Sequence, residues 1–291
     1  MRPVKFEKWQ ALGNDYLILE ARNLATGLSP AGIRLICDHH FGVGADGILL
    51  LEEAEAPEVT ASLRIFNPDG SEAELSGNGA REAALYLVRS GWTSEPDFIV
   101  STASGSIRPR ITGERTCSIE LGQASTQSDD FPTGDPGGQG VVSAGGREWD
   151  FRHVSIGNPQ CAIEVGSELE SLDLSEVGPD IETSGLFPNR TNVSFYRASG
   201  SRIRARIFER GVGETLSSGT GATGAAIAAH LDGAESPLTV ELDGGELTVE
   251  VDGELNVTLS GWAEPVFEGV FSREFVNSLE ELGRADSLEV S

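Results

Sequence analysis

Lysine is almost absent from this sequence, since Lys5 and Lys8 are the only two lysines among 291 residues. Both lie in an opening strand-like segment, VKFEKWQ, far from any glycine-rich loop that could hold a phosphate. A pyridoxal phosphate enzyme needs a lysine that forms a Schiff base with its cofactor. The sequence therefore argues against pyridoxal phosphate chemistry, and we expect no cofactor.

Cysteines and long hydrophobic runs are also scarce. Cys37, Cys117 and Cys161 give neither a disulfide framework nor a zinc site, because their number is odd and their spacing is not that of a metal motif. We expect all three to be small buried hydrophobes. No apolar run approaches about 18 residues, and charges fill the N-terminal segment where a signal peptide needs an apolar stretch. These absences predict a cytoplasmic protein with no metal site and no membrane contact.

Acidic residues outnumber basic ones by 46 to 21, which gives a formal net charge of −25 at pH 7. Such a surface repels phosphate backbones, so we expect no nucleic-acid partner. An acidic, lysine-poor surface suits a salt-rich cytosol, where charge repulsion is screened within about 3 Å at 1 M salt. A halophilic source and a generally acidic protein from a high-GC genome both remain open explanations.

Short alternating segments typical of strands recur in both halves of the chain, for example SLRIFN in the first and RIRARIFER in the second. Between them, residues 123–148 are rich in Gly, Ser, Asp and Pro and are interpreted as a loop at a domain boundary. The length of the chain suits two domains of ordinary size. We therefore predict a β-rich α/β protein with domains at 1–122 plus 264–291 and at 123–263.

One motif, Ser-Gly-x-Gly-Ala, occurs twice. Ser76 heads it in ELSGNGAREAA and Ser218 in TLSSGTGATGAAIAA, and a glutamate precedes each serine by four residues, Glu72 and Glu214. Each copy opens into a segment of small residues that is predicted to be helical. Because the copies lie about half the chain apart, they predict an internal duplication with two similar domains related by a pseudo-twofold axis.

The motif predicts an anion-binding helix N-terminus, where amide groups without helical partners meet the positive end of the helix dipole. Two such helix starts facing each other would hold one carboxylate. Ser76 and Ser218 would then lie on opposite sides of the adjacent carbon, as the two proton carriers of a racemase must. The alternative is that both serines are ordinary N-caps.

Several ordered motifs resemble those of the diaminopimelate epimerase family over nearly the whole chain. They are GND at 13–15, FNPDGSEAELSGNGAR at 66–81, GNPQ at 157–160, FPNRTNVSF at 187–195, FERGVGETLSSGTGA at 208–222 and GWAEPVFEG at 261–269. The resemblance implies two α/β domains, each a β-barrel-like sheet wrapped around a central helix, with the active site in the cleft between them. It also implies cofactor-free interconversion of L,L- and meso-diaminopimelate in lysine biosynthesis, and a homodimer as a candidate assembly.

The resemblance also implies roles for individual residues in binding a small amino acid with charge at both ends. The backbone donors for the reacting carboxylate are Gly77, Asn78, Gly219 and Thr220, with Asn14 as a further polar contact. The groups implied for the distal end are Asn67, Asn158, Asn192, Glu209 and Arg210. A bidentate arginine suits a carboxylate, and Asn and Glu suit an ammonium group. The alternatives are a turn role for each asparagine and a surface ion pair for Arg210.

The sequence departs from the family pattern at three positions. The family has cysteine where this chain has Ser76 and Ser218, and histidine where it has Gln160. A thiol with a pKa near about 8.5 yields a usable thiolate at a helix N-terminus, whereas a serine needs a neighbouring base. Candidate auxiliary groups are Gln160, Glu72 and Glu214, with Glu209 as a further candidate base.

Two nearby residues are interpreted as structural. His153 is expected to be a satisfied structural histidine. Cys161 is expected in the core, because strand alternation points it away from the face that Gln160 serves.

Three interpretations stay open at this point. The protein is an epimerase with slow or specially activated serines, a divergent family member that binds an amino acid without racemising it or catalyses another isomerisation, or an epimerase engineered from cysteine to serine. We expect weak or absent activity on diaminopimelate. Replacing Ser76 and Ser218 together by cysteine is expected to raise that activity, whereas either change alone should do little.

Overall fold

The computed structural model describes residues 3–25, 27–73 and 76–289. Within it the chain divides into two compact units, residues 1–118 with 262–291 and residues 119–261. The boundaries expected from the sequence, 122/123 and 263/264, fall a few residues later along the chain.

The elements alternate strands with a few helices in both units. The strands are β1 Lys5–Ala11, β2 Asn14–Glu20, β3 Ile48–Glu52, β4 Ala61–Phe66, β5 Glu72–Ala73, β6 Val100–Thr102, β7 Gly105–Ile107, β8 Pro109–Gly113, β9 Thr116–Gln123, β10 Gln139–Ala144, β11 Arg147–Ser155, β12 Pro159–Glu164, β13 Asn192–Ser199, β14 Arg202–Glu209, β15 Gly213–Thr215, β16 Leu238–Leu242, β17 Gly245–Val251, β18 Asn256–Trp262 and β19 Glu264–Val270. The helices are α1 Pro30–Cys37, α2 Gly77–Arg89, α3 Leu174–Glu182, α4 Gly219–Leu231 and α5 Arg273–Glu289, and short 3₁₀ turns lie at Ala21–Asn23 and Leu169–Ser171.

Both sheets repeat one pairing pattern. The first sheet has the order β19-β1-β2-β3-β4-β6-β7, and the second has the order β10-β11-β12-β13-β14-β16-β17-β18-β9-β8. The run β2-β3-β4-β6-β7 is joined in turn by parallel, antiparallel, parallel and antiparallel pairs, and so is the run β12-β13-β14-β16-β17. A short strand pairs with the third member of each run, β5 with β4 and β15 with β14, and leads into α2 or α4. This repeat supports the predicted internal duplication.

Helix α4 is buried on nearly all sides within its unit. Its sequence, GTGATGAAIAAHL, consists mainly of Gly, Ala and Thr, and all its residues from Gly221 to Ala229 are buried. It packs against strands β11 to β14, β16 and β17, so the second sheet wraps around it. In the first unit α2 packs against β1, β2 and β3 and buries even Arg81 and Glu82. The predicted fold class, a sheet around a central helix in each domain, is confirmed.

Apolar clusters fill the other face of each sheet. In the first unit, residues of β1 to β4 pack against Ile33 and Ile36 of α1, with Phe275, Val276 and Leu279 of α5 alongside. In the second unit, the corresponding cluster includes Val177 and Ile181 of α3. No helix among the described residues is long and apolar enough to cross a membrane.

The expectation for the cysteines is confirmed, whereas His153 is structural but not fully satisfied, because its buried Nδ1 has no hydrogen-bond partner among the described residues. Cys37, Cys117 and Cys161 are all buried, and Cys161 belongs to the α3-side cluster of the second unit. His153 is fully buried against the rings of Phe131 and Phe187, and its Nε2 lies 2.9 Å from the Ser128 hydroxyl. Burial lowers the pKa of His153, which favours the neutral ring.

One expectation about the chain between the domains is wrong. The stretch 123–148 is not a continuous loop, because it contains β10 and the first residues of β11. Gly145 and Gly146 join these strands with φ of 58° and 74°, as a two-residue hairpin turn requires. The glycine-rich composition therefore reflects a hairpin turn in addition to irregular loop.

Candidate active site

Ser76 is the N-cap of α2. Its φ and ψ of −128° and 122° are extended, and its Oγ accepts a hydrogen bond from Gly79 N at 3.1 Å. The helical ladder begins with Ala80 N, which donates to Ser76 O at 2.8 Å. Gly77 and Asn78 are the first two residues of α2 and precede the first amide of that ladder. Ser76 thus caps the helix N-terminus for which the sequence predicts anion binding.

Tyr16, on β2, reaches the head of this helix. Its hydroxyl donates a hydrogen bond to Ser76 Oγ at 3.2 Å, and its side chain is buried. Asn14 lies two residues earlier on the same face of the strand, and its Oδ1 accepts from Asn78 Nδ2 at 3.3 Å. Asp46 accepts from Asn14 Nδ2 at 3.1 Å. The structure thus brings Asn14, Asn78 and Ser76 together, with Tyr16 as a residue that the sequence did not single out.

Ser218 is the N-cap of α4 in the second unit. It has φ −136° and ψ 120°, and its Oγ accepts from Gly221 N at 3.3 Å. Its own hydroxyl donates to Glu209 Oε2 at 3.0 Å, and Thr215 Oγ1 donates to the other carboxylate oxygen at 2.7 Å. Burial raises the pKa of Glu209 above its usual range, although the two hydrogen bonds act in the opposite direction. Ser218 therefore has a carboxylate of increased basicity in direct contact.

A chain of amides leads from β12 to the first turn of α4. Gln160 Nε2 donates to Asn158 Oδ1 at 2.8 Å, and Asn158 Nδ2 donates to Thr220 Oγ1 at 3.2 Å. Gln160 is fully buried, and a Cβ at Gly224 would approach the Gln160 Cβ to 2.8 Å. Gln160 Oε1 has no hydrogen-bond partner among the residues that the structure describes. Gln160 thus orients the Asn158 amide so that its Nδ2 can donate to Thr220.

Three residues implied for the distal end are arranged around turns. Asn192 is buried, where its Oδ1 accepts from Arg210 N at 2.9 Å and its Nδ2 donates to Pro159 O at 3.2 Å. The exposed Arg210 side chain donates to Asn189 O at 3.0 Å. Asn67 closes a turn in the first unit, with its Nδ2 2.9 Å from Ser71 Oγ. Asn192 thus fixes the backbone from which Arg210 projects.

The two glutamates that precede the serines take equivalent places in the two units. Glu72 on β5 forms a bidentate pair with Arg64 at 2.9 and 2.7 Å. Glu214 on β15 pairs with Arg206 at 2.8 and 2.7 Å. Both pairs tie a short strand to its neighbour, β4 or β14. The carboxylate that contacts Ser218 is Glu209 instead.

Sequence inspection did not single out Tyr16 and Thr215. Tyr16 could have been found by strand alternation, because it lies two residues after Asn14 in β2. Thr215 lies three residues before Ser218 and has no feature in the sequence that connects it to Glu209.

Solved structures with the same fold include two proteins of low sequence identity. The phenazine biosynthesis protein of the PhzF family from Bacillus anthracis gives a TM-score of 0.65 at 18% identity and covers 94% of this chain and 100% of that one. A hydroxyproline epimerase from Agrobacterium vitis gives a TM-score of 0.65 at 14% identity, covering 94% and 93%. This chain therefore has the two-domain α/β fold that these proteins share.

The sequence comparison is more specific. The profile of the family described as diaminopimelate epimerase matches residues 6–127 and 152–263. The diaminopimelate epimerase of Cyanothece sp. is 39% identical over 280 residues, which cover 92% of this chain and 99% of that protein. The chain belongs to the diaminopimelate epimerase family, and it is an isomerase of the epimerase type.

Proposed function

We propose that this protein interconverts L,L- and meso-diaminopimelate, with Ser76 and Ser218 as the proton carriers on the two faces of the reacting carbon. The observation that carries the proposal is the 3.0 Å hydrogen bond from Ser218 Oγ to Glu209. A serine needs an adjacent base before it can accept a proton from carbon. In this proposal Glu209 receives the hydroxyl proton as Ser218 takes the α-proton.

The carbanion that forms must be stabilised through its carboxylate. The amides at the start of α2 (Gly77, Asn78) and of α4 (Gly219, Thr220) are the donors that we assign to this task, because fixed dipoles at a helix N-terminus favour developing negative charge. The proposal requires both helix starts to reach the same carboxylate.

Recognition of the distal end is assigned to Asn67, Asn158, Asn192 and Arg210. The Arg210 guanidinium donates to one backbone carbonyl, and no carboxylate among the described residues pairs with it. In a chain with 46 acidic residues such an arginine is available for a substrate carboxylate. Asn192 supports this role by holding Arg210 N, and Asn158 supplies an amide beside Thr220.

A second candidate function is the binding of an amino acid without racemisation. It is favoured by the surroundings of Ser76, whose Oγ contacts the Tyr16 hydroxyl and the Gly79 amide but no carboxylate among the described residues. On this alternative the amide donors and Arg210 would hold a ligand, and no α-proton would be exchanged.

Proton NMR of L,L-diaminopimelate with the protein in D₂O, at low and high salt, distinguishes epimerisation from binding without racemisation. Loss of the α-proton signal together with appearance of the meso isomer supports epimerisation. Saturable binding by calorimetry without exchange contradicts it and supports the second candidate.

The double variant Ser76→Cys with Ser218→Cys tests the proton carriers directly. We expect it to exceed the parent rate by orders of magnitude, because a thiol near a helix N-terminus ionises far more readily than a hydroxyl. Either single change should do little, since epimerisation needs a competent carrier on each face. A double variant that binds ligand but stays inert would contradict the substrate assignment.

The cytoplasmic location, the homodimer and the lack of a nucleic-acid partner stay predictions from the sequence.

A further inference from the structure

The two serines differ in how their hydrogen-bonding capacity is used. A serine hydroxyl has one proton to donate and two lone pairs that can accept. Both acceptor positions of Ser76 are filled, by Gly79 N at 3.1 Å and by the Tyr16 hydroxyl at 3.2 Å. No acceptor for the Ser76 proton exists among the described residues. Ser76 is therefore arranged to give a proton and has no lone pair left to receive one.

Ser218 is arranged in the opposite way. Its proton is given to Glu209 Oε2 at 3.0 Å, and one lone pair accepts from Gly221 N at 3.3 Å. Its second lone pair has no donor among the described residues. Ser218 Oγ can thus receive a proton on its second lone pair while its hydroxyl proton passes to Glu209.

We infer that the resting protein has a fixed catalytic direction, in which Ser218 with Glu209 accepts the α-proton and Ser76 with Tyr16 supplies the new one. This inference rests on the proposed function and adds Tyr16 to it as a positioning residue. The resting protein is then ready for the stereoisomer whose α-proton faces Ser218.

The proton movements balance. Ser218 Oγ takes the α-proton as its own hydroxyl proton moves to Glu209, and the electron pair of the C–H bond passes into the substrate carboxylate. Ser76 gives its proton to the opposite face of the carbon, and the Tyr16 hydroxyl replaces it. One turnover leaves Glu209 protonated and Tyr16 as phenolate, and exchange with water restores both. The reverse reaction begins from the protein with Glu209 protonated and Tyr16 ionised.

Among the described residues, Tyr16 is the side chain that forms a hydrogen bond with Ser76 Oγ. The carboxylate four residues before Ser76, Glu72, is occupied by the bidentate pair with Arg64. The contrast with Ser218 is therefore one of partner chemistry, a phenol on one side and a carboxylate on the other. The N-cap geometry of the two serines is nearly the same.

Two single variants test the direction, and each is the matched control of the other because both lose one N-cap hydroxyl. Each is incubated in D₂O with L,L- and with meso-diaminopimelate separately, and deuterium entering the unchanged isomer is measured by NMR. Ser76→Ala retains the accepting serine and should exchange the α-proton of one isomer without inversion. Ser218→Ala lacks the accepting serine and should exchange the α-proton of either isomer at least about tenfold more slowly than Ser76→Ala exchanges its preferred isomer. Equal exchange by the two variants would overturn the inference.

Tyr16→Phe tests the positioning role. The readout is the amount of deuterium in the unchanged isomer relative to the amount of epimer formed. We expect this ratio to rise severalfold with KM unchanged, because proton return from Ser218 continues while delivery from Ser76 slows. Tyr86→Phe, which removes a buried hydroxyl bonded to Glu20 elsewhere in the same unit, should leave the ratio unchanged. A purely structural effect of Tyr16 would lower the deuterium in the unchanged isomer and the amount of epimer together, so that their ratio stays constant. That outcome would contradict the inference.

Failure of the proposed function gives a different result from failure of this inference. If neither the parent nor the double cysteine variant exchanges either isomer, the function itself is wrong. If the double cysteine variant is active but the parent shows no exchange, the family activity stands and the roles of Glu209 and Tyr16 are wrong.

Discussion

Glu209 lies nine residues before Ser218, yet it is the carboxylate in contact with that hydroxyl. Its burial raises the pKa of its carboxyl, which makes the ionised form a stronger proton acceptor than an exposed glutamate. The same shift limits activity at low pH, because a protonated Glu209 cannot receive the Ser218 proton. Activity should therefore be present above the raised pKa of Glu209 and fall as pH drops through it.

Replacing Glu209 by Gln should lower kcat by about 100-fold or more, which is the contribution expected of a positioned base. The acidic limb of the kcat–pH profile should disappear with it, provided that residual activity is measurable. Glu214→Gln is the matched control, since Glu214 lies on the following short strand and pairs with Arg206. It should keep kcat within a few-fold. A Glu209→Gln protein with parental kcat and an unchanged acidic limb would remove Glu209 from the mechanism.

At the scale of residues, local motifs could be predicted but contacts across turns could not. The capping positions of Ser76 and Ser218 follow from Ser-Gly-x-Gly before a small-residue helix. The partners of these serines depend on how a strand or hairpin returns to the helix start. Glu209 and Thr215 meet because β14 and β15 are paired, and nothing in their spacing indicates it.

At the scale of elements, each site helix depends on a glycine that lets it approach a strand. A Cβ at Gly221 would lie 2.6 Å from Ile207 Cγ2 and 3.2 Å from two further atoms of that side chain. At Gly79 the only neighbour closer than 3.4 Å is a Leu49 methyl at 2.9 Å, which can move more easily, and the Ser76 Cβ and Oγ lie at 3.4 and 3.5 Å. The second helix is therefore the more tightly fitted of the two.

Gly221→Ala sets helix propensity against packing. Alanine gains at most about 1 kcal/mol in a helix interior, whereas overpacking costs about 1–3 kcal/mol. We expect a net loss of unfolding free energy, a loss larger than for Gly79→Ala, and reduced kcat as Ser218 shifts. Gly283→Ala in α5, where the nearest atom to a Cβ is Ser29 Cβ at 4.0 Å, should instead stabilise by about 0.5–1 kcal/mol. Urea unfolding of the three variants and the parent measures these differences in unfolding free energy. A Gly221→Ala protein as stable as the parent would contradict the packing argument.

The sequence predicted repeated strands and two serine-headed helices, because alternation and small-residue runs are local signals. It did not predict β10, since a short strand beside a Gly-Gly turn resembles loop composition. Pairing order was equally inaccessible. The parallel pairs β2–β3 and β12–β13 join strands separated by a helix, and only the folded chain shows that the two units repeat them.

For the whole molecule, the net charge of −25 opposes compaction through self-repulsion. Ion pairs act in the other direction, but exposed pairs such as Arg110–Asp97 contribute only about 0–1 kcal/mol each. Arginine rather than lysine supplies almost all of the cationic side chains. Because 46 acidic residues face only 21 basic ones, more than half of the acidic side chains have no basic residue to pair with one to one. Added salt weakens both the repulsion and the pairs. Because unpaired acidic groups are in excess, we expect the loss of repulsion to dominate.

The midpoint of thermal unfolding should therefore rise between 0.1 M and 1 M KCl, over which the screening length falls from about 10 Å to about 3 Å. A rise of about 5 °C or more is expected, which corresponds to roughly 3 kcal/mol for a chain of this size. Repeating the measurement at pH 5.5, closer to the sequence pI of about 4.4, is the control. The net charge is smaller there, so a screening effect must shrink, whereas a general salting-out effect would persist. A midpoint that falls with salt at pH 7.5 would show that ion pairs outweigh repulsion, and would argue against adaptation to a salt-rich cytosol.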